Sequence, residues 1–103
     1  MRLATLFVPL TICLAGCGKP AQIGNDPECF RTVDALYTAV TSRRPPLLEQ
    51  CAVNIEKLRA ADKIPDAAYA ELSGIVERAR GGDWKPAAER LHWFMRGQKR
   101  EKE

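Results

Sequence analysis

Histidine is almost missing from this 103-residue chain, where His92 stands alone. A paired-histidine metal motif is therefore excluded, and no His, Cys and carboxylate group has ligand spacing. Neither sign of charge dominates: 16 basic residues face 13 acidic ones, a net +3. That balance is too mild to demand nucleic acid as a partner. No apolar run reaches the roughly 20 residues needed to cross a bilayer as a helix. No alternating pattern is long enough for a strand, and no Cys-x-x-Cys, phosphate loop or nucleophile elbow occurs. Glu49, Glu56, Glu71 and Glu77 read as solvated surface rather than as an acid–base constellation. These absences point away from an enzyme: no catalytic residue, metal ligand or cofactor is expected. The length fits one domain.

What the sequence does have begins at its start. Residues 1–17 read MRLATLFVPLTICLAGC. Arg2 precedes an apolar stretch of about a dozen residues, short for a span and suited to a secretory signal. It ends in Leu14-Ala15-Gly16-Cys17, which resembles the lipobox of bacterial lipoproteins. The resemblance implies lipid transfer to the Cys17 thiol, cleavage after Gly16 and acylation of the new amino terminus. Several acyl chains make attachment effectively permanent, where one gives only reversible binding. Gly18 follows where an aspartate would signal inner-membrane retention, so the resemblance favours the outer membrane, with the chain facing the periplasm. The alternative is an ordinary secretory signal with a chance cysteine.

Residues 17–26 then read as the lipidated cysteine and a flexible tether, rich in glycine, proline and polar residues. Residues 27–97 read as an all-α domain, a small bundle of about four amphipathic helices. Asp26-Pro27-Glu28 is a start signal. Apolar residues recur at Cys29/Phe30, Val33, Leu36/Tyr37 and Val40, then at Leu48, Cys51/Ala52, Ile55 and Leu58. A third stripe is Ala68/Tyr69, Leu72, Ile75/Val76 and Ala79, stopped by Gly81-Gly82. A fourth, capped by Asp83, carries Trp84, Ala87/Ala88, Leu91 and Phe94/Met95. Ser42 to Pro46 reads as a stiff extended link after the first helix. Residues 98–103 read as a charged, fraying tail.

The pattern from Leu72 through Gly82-Asp83-Trp84 to Met95 resembles helical hairpins of tetratricopeptide-like modules and of the helical domain of steroid receptor RNA activator proteins. It implies a packed pair of helices and no function.

With Cys13 removed and Cys17 acylated, Cys29 and Cys51 remain in an oxidising compartment, where a disulfide is expected. A tight hairpin at residues 43–45 opposes it. Such a turn offsets the two by over 10 Å along the helices, against the ~7 Å Cα separation that a bridge tolerates. The bridge thus requires the 43–46 segment to run back along the first helix, or Cys29 to lie in a loop. The alternative is two buried, reduced thiols.

Trp93 falls about 180° from the fourth stripe at 100° per residue. With Arg90 and Arg96 nearby it has the composition of a contact patch, unless it covers an edge of its own bundle. The expectation is a membrane-anchored, non-enzymatic interaction or structural module of the cell envelope. Its partners are the lipid bilayer, through Cys17, and an envelope protein of unknown identity, with no nucleic acid. The rivals are a small exclusion or assembly lipoprotein of a conjugation or secretion system, an envelope enzyme or enzyme inhibitor, and a headgroup-binding domain using Arg43-Arg44 or Lys99-Arg100.

Overall fold

The computed structural model describes residues 20–98. The signal segment 1–16 with Cys13, the lipobox cysteine Cys17, Gly18 and residues 99–103 of the charged tail lie outside the described residues. The rest is all-α: α1 Pro27–Thr41, α2 Pro45–Ala60, α3 Asp66–Arg80 and α4 Trp84–Arg96. Each helix packs on two neighbours, α1 on α2 and α4, and α3 on α2 and α4. The short connections make consecutive helices antiparallel, so the four close into an up-and-down ring.

Local chemistry accounts for the ends. Asp26 caps α1, its Oδ1 accepting the Glu28 N–H at 2.9 Å, with Pro27 at the first position. Pro45 and Pro46 also open a helix, and residues 42–44 form a tight turn rather than the extended link expected. A proline in the first turn lacks an N–H that would have no helical partner anyway, and its φ is already helical. Asp83 occupies the N-cap position of α4 as expected, yet its side chain makes no capping hydrogen bond.

Three helices end in the same way. The Arg44 N–H reaches Ala39 O at 3.0 Å and Arg43 N–H reaches Val40 O at 3.2 Å. Lys63 to Leu58 and Asp62 to Arg59 repeat the pair after α2, and Asp83 to Arg78 and Gly82 to Ala79 repeat it after α3. This is the Schellman arrangement, which satisfies the orphan carbonyls of a helix end and turns the chain back. It requires a left-handed residue, supplied by Arg43 (φ 53°), Asp62 (φ 62°) and Gly82 (φ 92°).

The four expected stripes meet inside. Cys29, Val33, Leu36 and Val40 are buried with Leu48, Cys51, Ile55, Leu58, Ala68, Leu72, Ile75, Val76, Ala79, Ala87, Leu91 and Phe94. Ile23, Ala39 and Ile64 join them, and Thr32 is the one buried polar residue among those described.

Ile23 corrects the tether. Only 1% of its surface is exposed, and it belongs to the core. Residues 20–23 form a strap across the C-terminus of α4. Gln98 holds the strap as a backbone mimic, its Nε2 donating to Ala21 O at 2.7 Å and its Oε1 accepting from Ile23 N–H at 2.8 Å. Gln22 Nε2 donates to Gly97 O at 2.8 Å. A Cβ at Gly97 would overlap the Pro20 ring, so glycine is needed for the close approach. Burial of Ile23 and the hydrogen bonds to the strap backbone oppose the entropy of ordering this short peptide. The folded body therefore extends beyond 27–97 at both ends, to Ile23 and Gln98. Gln98 does not fray, because it is bonded to the strap and to Phe94 O at 3.0 Å.

Candidate functional site

Trp93 is half-buried and packs against the core cluster. It lies on the α3–α4 seam because α3 and α4 fold about Gly82, eleven residues from both Glu71 and Trp93. Arg90, one turn earlier than Trp93, lies over the indole with its guanidinium carbon 4.1 Å from the ring centroid. The same guanidinium grips Glu71 at both oxygens, Nε to Oε2 at 2.6 Å and Nη2 to Oε1 at 3.1 Å. Planar stacking and a forked carboxylate contact suit arginine and not lysine. Hydrogen bonding to Glu71 raises the pKa of Arg90, so it stays charged.

Glu71 is thus not simply solvated surface. Its side chain is 20% exposed and fixes Arg90. Sequence spacing along one helix carries no sign of this pair, which lies across a hairpin; the mirror position about Gly82 is the only available clue. Arg96, in the last turn of α4, is exposed and stands apart from this contact. His92 is exposed and lies beside Tyr37 of α1, ring centroids 6.3 Å apart.

Glu49, Glu56 and Glu77 are also engaged. Arg80 bridges α2 and α3, donating Nε and Nη2 to Glu49 at 2.8 and 2.6 Å and Nη1 to Glu77 at 2.5 Å. These bonds hold the Glu49 carboxyl below the usual range. Tyr69 Oη donates to Glu56 at 2.6 Å, and Arg59 stacks on the Tyr69 ring. Between α2 and α3, Glu49, Glu56, Tyr69, Glu77 and Arg80 line an open groove of about 270 Å³, with Val53 exposed at its edge. A second groove, between α1 and α2, is lined by Arg31, Thr32, Asn54, Lys57 and Lys63. Lys63 Nζ donates to Glu28 at 2.9 Å.

The expected Cys29–Cys51 disulfide does not form: both thiols are free and buried. The tight turn at 42–44 leaves Cys29 in the first turn of α1 and Cys51 near the middle of α2, at different levels of an antiparallel pair. The Cys29 thiol donates to Lys63 O at 3.2 Å. Burial pushes both thiols above their ordinary pKa, and the charges of Asp26 and Glu28 add to the effect at Cys29. A protonated, enclosed thiol is a poor nucleophile.

Among the described residues, no group of three or more His, Cys, Asp or Glu could hold a metal ion, and no helix is long and apolar enough to cross a membrane. The described chain belongs to the class of four-helix up-and-down bundles with a docked N-terminal strap. No family model matches it, and no curated protein or solved structure is significantly similar to it.

Proposed function

We propose that this chain is a bacterial envelope lipoprotein whose bundle serves as a non-enzymatic interaction module, anchored by acylated Cys17. The Leu14-Ala15-Gly16-Cys17 sequence supports the anchor. The observation that carries the module reading is the state of the charged side chains. Glu28, Glu49 and Glu71 are each committed to a basic partner on another element and Glu56 to a tyrosine across α2 and α3, so they act as braces, while Glu77 holds Arg80 within α3. The stacked Trp93 and Arg90, with Arg96 beyond them, form the contact patch, and Glu71 holds it in one geometry before any partner arrives. Pre-organisation of this kind lowers the ordering cost of binding. The outer membrane is the favoured location.

Labelled palmitate incorporation, in wild type and Cys17→Ser, tests the anchor. Label on the wild type alone, with the variant lost from the membrane fraction, is the expected result. Cross-linking in intact cells tests the patch. Trp93→Ala should lower partner capture with a modest fall in Tm, since the ring is half-buried and packs on the core; a fall in Tm with capture unchanged would assign Trp93 to the bundle alone.

A further inference from the structure

The strap alters what an anchor at Cys17 would do. A free tether of residues 17–26 would let the bundle stand roughly 30 Å from the membrane at ~3.5 Å per residue. Pro20, however, already lies against Gly97, and Ile23 is in the core. Only three peptide steps separate Cys17 from Pro20, a reach of about 11 Å at full extension. The headgroup layer on each side of a bilayer is itself several ångströms deep.

We propose that the strap end of the bundle is a membrane-facing surface, held against the phospholipid headgroups by the short link from Cys17. The proposal rests on the lipidation reading above. The surface consists of the strap, the start of α1, the 61–65 turn and the C-terminus of α4. Its occupant is the bilayer that carries the acyl chains. Arg31, Lys57 and Arg96 lie at this end and make no ion pair with the described residues, and Lys63 is shared with Glu28. Asp26, Asp62 and Asp66 lie there too, so the local charge is close to balance. Link length therefore sets the arrangement, with the basic side chains free to meet phosphates.

The helices are about 22 Å long at 1.5 Å per residue. The 42–44 and 81–83 turns consequently point away from the bilayer, and Arg43-Arg44 is out of headgroup reach. Trp93, one turn from the end of α4, lies on the membrane-proximal flank. A partner that uses Trp93 must itself be close to the membrane.

The two tryptophans serve as native probes, since Trp84 and Trp93 sit about 13 Å apart along α4. The lipidated full-length protein is placed in phosphatidylcholine–phosphatidylglycerol vesicles containing a dansyl-labelled headgroup lipid. Trp84→Phe leaves Trp93 as donor, and Trp93→Phe leaves Trp84. Greater energy transfer from Trp93 than from Trp84 is expected. A Gly/Ser insertion of about twelve residues between Lys19 and Pro20, spanning ~20 Å, should erase the difference.

Amine labelling of the wild type gives a readout without substitution. Lys57 and Lys63 should lose reactivity on vesicles, while Lys85 keeps it. Equal transfer and equal protection in protein that floats with vesicles and carries palmitate would overturn the proposed orientation alone. Absence of palmitate and of flotation would remove the Cys17 anchor, and this proposal with it.

Discussion

The α1–α2 and α3–α4 turns have the same length and the same two hydrogen bonds, but different residues at the left-handed position. After α3 that residue is Gly82, and after α1 it is Arg43. Gly-Gly announces a stop, whereas Ser-Arg-Arg-Pro-Pro does not and reads as an extended link. The structure shows that glycine is a convenience here and not a requirement. Two orphan carbonyls gain partners in either case, and this offsets the roughly 1–2 kcal/mol that a side chain costs in the left-handed region. The hairpins differ in what lies between their helices as well. The first has two buried thiols and a partly basic groove. The second has the Glu71–Arg90–Trp93 stack.

The sharpest way to break this comparison is to ask whether the hairpins fold separately. Ile55→Ala in the first and Leu72→Ala in the second should each cost ~2–5 kcal/mol, because both are fully buried. Denaturant melts followed by circular dichroism and by tryptophan fluorescence should coincide in both variants. Separate transitions would show that the closed ring is not one cooperative unit.

The turns come next. Gly82→Ala should destabilise by ~1–2 kcal/mol through backbone strain alone, since a Cβ there meets no atom within 4 Å. Arg43→Gly should stabilise by about 0.5–1 kcal/mol by relieving the same strain. A loss at Arg43→Gly would mean that the arginine side chain holds the turn.

The thiols provide a pH test confined to the first hairpin. Their folded-state pKa values are raised, so the folded chain binds more protons than the unfolded one above the ordinary thiol value of 9.0. Stability should be fully present below that pH and fall as pH rises through the folded values. Cys29→Ala/Cys51→Ala should flatten this slope in urea melts. Native protein should also resist thiol reagents that modify two cysteines once residues 20–98 unfold.

The smallest effect belongs to the second hairpin. Arg90→Lys, which loses the fork and the planar stack, should cost under ~1 kcal/mol of stability because the guanidinium is about half exposed and lysine keeps the charge. The expected signature is a change in Trp93 fluorescence with little movement of the unfolding midpoint.

All four helices were legible, as were nearly all the buried positions in them. Stripes such as Leu48, Cys51, Ile55 and Leu58 repeat at helical spacing, and Asp26-Pro27 and Gly81-Gly82 mark ends by local backbone chemistry. Ile23 was not legible, because one isoleucine among glycine, proline and polar residues has no period. Its burial depends on Gln98, 75 residues away, offering both faces of an amide to the strap. The candidate site divides in the same way. Trp93 stood out as an aromatic off the stripe, but its neighbour Glu71 did not, since only the register of α3 against α4 brings them together.

The sequence alone therefore determined the number of helices and their apolar faces, and it alone carries the lipobox-like run on which the proposed anchor rests. Each is written in contiguous residues, through a 3.6-residue repeat or a short motif. Tertiary structure alone decided that Cys29 and Cys51 stay apart, that Arg90 is claimed by Glu71, and that the supposed tether is bound to the end of α4. Those outcomes depend on which side chains meet across antiparallel helices, and that register is fixed by the packed core and the turns together.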